Sequence, residues 1–380
     1  MESIYANYPE YKSTARLDDL RATDYGYLDK QDHLYLDFTG AGLAAQSQLR
    51  AHESRLERTL LGNPHSENPT SRSATHLVED ARARILAHLG ASPDEYTAVF
   101  TPNATGAARL VAEAYPWTRR SRLVLTADNH NSVNGLRDWY KLFGYPTGVG
   151  CLVVRRDALA RLAGSRPWFS GGTIAAASVG VPWHVMAPDE AAFEDGTVNF
   201  LSIPDVRFGL DWLDGIGMDL IGTRVRCLTG WCLDRLRALQ HGDGSPVVRI
   251  YGPTDMTARG GTICFNFLDV GGRIVDERLV AAESSARNIS LRTGCFCNPG
   301  AGEAAFGLSK RVLEPLSRAQ MQMKMQVQVM NSGGGGGGSA DDYIRLLAPV
   351  GAVRISFGFV TTTGDVDRFI ARRTGTGWRR

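Results

Sequence analysis

Apolar positions recur along this chain with two periods, and the change of period marks its elements. Residues 1–30 are polar and turn-rich, and the run 34–38 then predicts a short strand that ends at Thr39, Gly40, Ala41 and Gly42. Across 73–89 the apolar residues Leu77, Ala81, Ile85, Leu86 and Leu89 fall at helical spacing, with Gly90 placed to end the helix. Residues 96–101 read as a buried strand, 104–115 as a helix and 123–126 as the next strand. Strand, small-residue turn, helix and strand make the rhythm of an open α/β sheet, where ligands gather at the carboxyl ends of the strands.

The later chain changes character. Helices are predicted at 204–220 and 222–241, a strand at 262–267 and a closing strand at 352–357, which together suggest a smaller α+β domain. Residues 321–330 alternate Met, Gln and Val and run into six consecutive glycines at 333–338, a low-complexity tract read as a surface insertion. No internal repeat is visible. The expected organisation is an N-terminal segment at 1–30, a large domain at 31–220 and a small α+β domain at 221–370 that carries the insertion at 320–340.

Composition narrows the function classes. The 42 basic and 40 acidic residues give a net charge of +2 over 380 residues, so neither nucleic acid nor an anionic membrane is expected as a partner. The N-terminus lacks a basic segment followed by an apolar run, and no stretch reaches the ~20 apolar residues of a membrane helix. A cytoplasmic location is the expectation. Six cysteines are too sparse for a disulfide framework and are expected as thiols.

Four segments carry candidate chemistry. Thr101 through Ala107 joins a strand to a helix with small residues and hydroxyls, where N–H groups and the helix dipole suit a phosphate; an ordinary capped turn has the same composition. His130, at the end of the next strand, brings an imidazole to the same sheet edge or serves as a surface residue. Lys141 lies in an apolar, glycine-rich setting, where partial burial would free its amine for a Schiff base; the alternative is a solvated lysine before a turn. Cys295 and Cys297 stand two residues apart in a Gly/Pro-bounded loop. Zinc needs about four ligands and no matching second pair is present, so a nucleophilic thiol is favoured and no metal is expected.

In this order the segments resemble the class V aminotransferase-like family of cysteine desulfurases and, within it, the molybdenum cofactor sulfurases. The resemblance rests on Asn63 to Ser66, Ala87 to Leu89, Tyr96 to Thr101, Val111 to Trp117, the lysine segment, Phe193 to Leu201 and Arg292 to Gly300. It implies a fold type I transferase dependent on pyridoxal 5'-phosphate, α/β, with a mostly parallel large-domain sheet and a smaller α+β domain. It further implies that Lys141 forms the Schiff base and moves the substrate's α-proton. Ala104, Thr105 and Gly106 would cradle the phosphate, and His130 would stack on the ring. Gly196 and Thr197 would approach the cofactor phosphate of a partner subunit in a homodimer. Arg354 would grip the carboxylate of L-cysteine, and Cys297 would accept its sulfur as a persulfide, with Cys295 as runner-up and Asn298 as a turn residue. The implied sulfur acceptor is molybdenum cofactor, although the second domain into which such sulfurases continue is not represented here.

The pattern breaks in one place. His130 and Lys141 are 11 positions apart, whereas relatives separate them by further βα units. Such a unit takes about 30 residues, so on the order of 60 residues are expected to be missing, among them the aspartate that pairs with the pyridine nitrogen. Asp138 could be proposed as a substitute, but it lies in the part that matches the chain just after His130, which disfavours it. The simplest account is a product from which coding sequence is skipped, and a message encoding the shortened form as its main product would argue against it. Two other readings stay open: a general cysteine desulfurase, and a catalytically inactive relative acting at most as a binding or dimerising module.

Overall fold

The computed structural model describes residues 4–122, 137–166, 170–294, 296, 299–309, 311, 314 and 351–374. The strand expected at 123–126 and the tract at 321–338 lie outside the described residues.

Two sheets organise the chain. The first runs β2 (Tyr96–Thr101), β4 (Gly150–Arg155) and β3 (Arg137–Asp138) in that spatial order. β4 pairs with β2 over six residues, from Tyr96 opposite Arg155 to Thr101 opposite Gly150. On its other side β4 meets only Arg137 and Asp138 among the described residues. Both pairings are antiparallel, while β1 (Leu34–Tyr35) pairs in parallel with β9 (Ile289–Ser290) and Asp37 forms a further parallel bridge to Ser356. The α/β class expected from the sequence holds, and β2, β4 and β3 are the part of the large-domain sheet that is described.

The helix Pro69–His88 starts four residues before its predicted start, because Asn68 accepts a hydrogen bond from the Ser71 N–H and Pro69 sits at the first helical position. It packs against the helix Pro204–Ile216, and Val78, Ile85, Phe100, Val206 and Leu210 share one core with Phe143. The helix predicted at 204–220 stops at Ile216: Gly217 takes φ +94° and a second helix, Met218–Arg237, begins.

The second sheet is four-stranded and antiparallel, in the order β10 (Arg292–Gly294), β11 (Ala352–Ser356), β8 (Thr262–Phe267) and β7 (Val248–Tyr251). The helices Met218–Arg237 and Thr363–Thr374 cover it, burying Leu228, Trp231, Phe265, Ile355 and Phe369. Ile4, Tyr11, Leu34 and Leu36 join this core, so residues near the N-terminus that the sequence groups elsewhere pack with the C-terminal sheet. A hairpin of β5 (Ile174–Ser178) and β6 (Trp183–Met186) stands apart from both sheets. Among the described residues no helix is long and apolar enough to cross a membrane.

Candidate active site

The turn expected to hold a phosphate forms where β2 ends. Asn103 caps the helix Ala104–Ala114, its side chain accepting from the Gly106 N–H at 2.8 Å, and the Thr101 hydroxyl donates to the Asn103 carbonyl at 2.9 Å. Ala104 is buried and Thr105 is exposed. Gly150 opens β4 against this turn: a Cβ there would come within 2.7 Å of the Asn103 backbone, so the approach requires glycine. Gly106 and Thr197 line one cavity of about 320 Å³, together with Thr101, Gly148, Arg109 and Arg166. Arg109 pairs with Glu113 at 2.6 Å, and Arg166 pairs with Asp195. The helix N-terminus and hydroxyls at this end suit an anion, while each guanidinium is already paired with a carboxylate, Glu113 or Asp195, that lines the same cavity. Its volume reaches the roughly 300 Å³ at which small-molecule pockets begin.

The segment bearing Gly196 and Thr197 is pinned by a buried ion pair that sequence reasoning missed. Glu194 accepts from Arg82 Nη1 at 2.9 Å and from the Phe100 N–H at 2.8 Å. Burial pushes the Glu194 carboxyl above its usual range, while Arg82 and the Phe100 N–H pull it back. The available signal was Arg82 itself, a charge set among Val78, Ala81 and Ile85 on the core-facing stripe of its helix. Gly196 and Thr197 were expected near a partner's cofactor; within the single chain Thr197 already faces the same cavity as Gly106.

Lys141 lies elsewhere. It sits on the short helix Trp139–Phe143, half-buried, and borders a second cavity of about 230 Å³ with Thr39, Gly42, Thr262 and Phe357. The segment 141–149 serves both spaces, giving Lys141 and Phe143 to the second and Gly148 and Val149 to the first. Gly144, at φ +80°, crosses so close to the Leu43–Ala44 backbone that no side chain fits there. His52 packs edge-on against Tyr145 with ring centroids 5.4 Å apart, and hydrogen-bonds buried Asp205 at 2.7 Å. The turn after the lysine is thus held on two sides. Of the residues expected at the phosphate, Gly106 and Thr197 line the first cavity, while Lys141 borders the second, so the two halves expected of one site border different cavities. Asp138 pairs through its backbone with Gly150 at the start of β4.

Arg354 on β11 is held by Asp37, whose Oδ1 accepts from Nη2 at 2.8 Å, and its guanidinium lies 5.1 Å from the centre of the Phe296 ring. His130, Cys295, Cys297 and Asn298 lie outside the described residues. Cys151, Cys227 and Cys232 are buried and Cys264 is partly so. Burial pushes the Cys227 and Cys264 thiols up to about 11 and raises Cys232 as well. Thiolate supply at neutral pH is correspondingly small. Brief alkylation of the native chain, read by peptide mass mapping, is therefore expected to label position 295 or 297 and spare the other four until denaturant is added; fast labelling at Cys264 would contradict this.

Residues 34–136 and 140–369 match the aminotransferase class-V family, with a break at 137–139 where the sequence pattern also breaks. Among curated relatives, a human molybdenum cofactor sulfurase is 29% identical over 93% of this chain and 50% of its own length. Molybdenum cofactor sulfurase 2 of Culex quinquefasciatus is 30% identical over 90% of this chain and 56% of its own. The chain spans about half the length of the curated relatives it matches. The alignment with the human relative extends over 469 positions against 380 residues here, so that relative has residues for which this chain has no counterpart. Among solved structures, a cysteine desulfurase of Thermococcus onnurineus NA1 superposes with a TM-score of 0.65 at 19% identity, over 93% of this chain and 96% of that one. A cysteine desulfurase of Escherichia coli does so with the same TM-score at 15% identity and the same coverage.

Proposed function

Because this chain belongs to the aminotransferase class-V family, we propose that it carries the sulfur-abstracting half of a molybdenum cofactor sulfurase, taking sulfur from L-cysteine and releasing alanine. The observation that supports this best is the cavity in which Gly106, at the helix N-terminus, meets Thr197 of the segment pinned by Glu194. Ala104, Thr105, Gly106 and Thr197 would hold the phosphate of pyridoxal 5'-phosphate. When bound, that cofactor supplies an electron sink for cleavage beside the substrate's α-carbon. Lys141 would carry the α-proton, and Arg354 would hold the substrate carboxylate through its guanidinium fork. The Cys297 thiolate would attack the substrate's sulfur. An S–S bond forms, the C–S bond breaks with its electron pair left on carbon, and a proton completes alanine. Molybdenum cofactor is the proposed acceptor of the resulting persulfide sulfur.

A homodimer belongs to the same proposal. The hairpin of β5 and β6 exposes Val179, Val181, Trp183 and Val185, apolar side chains that a second copy would cover. Sedimentation equilibrium is expected to show a dimer, and a monomer at all accessible concentrations would remove this part.

The deciding experiment mixes the purified chain with pyridoxal 5'-phosphate and L-cysteine and follows colour and alanine. Coloured protein that releases alanine is expected. A second reading, a non-catalytic relative, is favoured by the separation of Lys141 from the cradle cavity. Folded, colourless protein that releases no alanine would establish it.

A further inference from the structure

The cavity bordered by Lys141 is walled by rings. Phe143 and Phe357 are buried there, and with them stand Phe38, Phe359 and Tyr25. Tyr25 and Phe359 meet edge to face with ring centroids 6.0 Å apart. Gly358 lets Phe38 close against the backbone, since a Cβ there would come within 2.5 Å of the ring. At about 230 Å³ the cavity exceeds the ~150 Å³ of apolar space that takes up a single benzene ring. There is room for one ring and a small substituent.

One polar group of this wall is unanswered. Tyr25 is 1% exposed, and its hydroxyl is buried with no hydrogen-bond partner among the described residues. A buried donor left unpaired is costly, because it has given up water and received nothing in return. Burial pushes the Tyr25 phenol above its usual range, with Tyr27 and Asp24 adding to the shift, so the group stays a donor through the physiological pH range. The other hydroxyls of the lining threonines, Thr39 and Thr262, bond each other at 2.8 Å. Among the lining residues Lys141 alone is charged at neutral pH, which disfavours a cationic ligand. One open donor in an apolar, ring-lined space calls for a flat apolar body with one acceptor.

We propose that this cavity is a binding site for a small neutral aromatic molecule carrying one carbonyl-type acceptor, whose oxygen takes the hydrogen bond that Tyr25 offers. The surrounding rings supply edge-to-face partners, and Tyr25 selects an acceptor-bearing ring over a plain hydrocarbon. The site goes beyond the sulfur-abstracting reading and does not rest on it, since binding here needs neither pyridoxal 5'-phosphate nor turnover.

The test is a ligand-observed NMR titration of the full chain with acetophenone, a ring bearing one ketone, and with toluene, the same ring without an acceptor. Both are expected to bind saturably. Tyr25→Phe is expected to weaken acetophenone about tenfold, or about 1.4 kcal/mol, and to leave toluene unchanged. Because it removes a hydroxyl that has no partner, the same variant should unfold in urea at a midpoint no lower than that of the wild type. A lowered midpoint would show that the hydroxyl is bonded within the chain. Equal weakening of both probes would show that Tyr25 acts by shape alone, and no saturable binding by the wild type would show that solvent fills the space. Each of these results overturns the proposal, as does acetophenone affinity that Tyr25→Phe leaves unchanged. A chain that releases alanine yet binds neither probe would keep the functional reading and lose this one.

Discussion

Lys141→Ala is expected to lower alanine release from L-cysteine by about 10²- to 10⁴-fold, the range lost when a positioned proton-transfer group is removed. The same variant is expected to keep its hold on pyridoxal 5'-phosphate, measured by equilibrium dialysis, because the groups suited to the phosphate line a different cavity from the one Lys141 borders. Colour should fall with turnover while retention stays. That split is peculiar to this chain's geometry, in which the segment 141–149 divides its ends between two spaces. Undiminished alanine release in the variant would take Lys141 out of the chemistry. Loss of retention would mean that the amine, and not the 104–106 turn, does most of the holding.

Local order was legible wherever period and punctuation agreed. The strands at 96–101 and 262–267 and the helix after Asn103 follow from apolar runs bounded by small or capping residues. Of the two successive helices expected at 204–220 and 222–241, both form, but the boundary falls earlier, at Gly217, because apolar spacing continues through it while the backbone does not. β4 was not foreseen at all, although its register with β2 is what brings Gly150 against the cradle. The break before Lys141 was visible as spacing, but its consequence was not: a two-residue β3 beside a six-residue β4 is a matter of tertiary pairing. Asp37 was read only as part of a short strand. Its carboxylate acquires meaning from Arg292 and Arg354, both more than 250 positions away, and no local pattern joins them.

The largest stability effect expected of one substitution is at Glu194. Glu194→Ala removes the carboxylate from Arg82, whose side chain is 7% exposed, and strips the Phe100 N–H of its acceptor. Breaking a buried pair by deleting one partner costs about 3–5 kcal/mol, mostly for the charge left behind. The partly exposed Glu79, at 3.0 Å from Arg82, tempers this toward the lower end. A urea titration should therefore show a clearly lower midpoint with little change in slope. Glu194→Gln should lose less, since an amide oxygen still accepts from Phe100 and Arg82. Asp80→Ala, which breaks an exposed pair with Arg207, should leave the midpoint in place. An Ala variant at 194 as stable as the Asp80 control would show that the pair contributes nothing. Because the same carboxylate anchors the segment that carries Thr197 to β2, the Ala variant should also lose pyridoxal 5'-phosphate retention below its unfolding midpoint, the reverse of Lys141→Ala: one position holds the cradle together and the other works outside it.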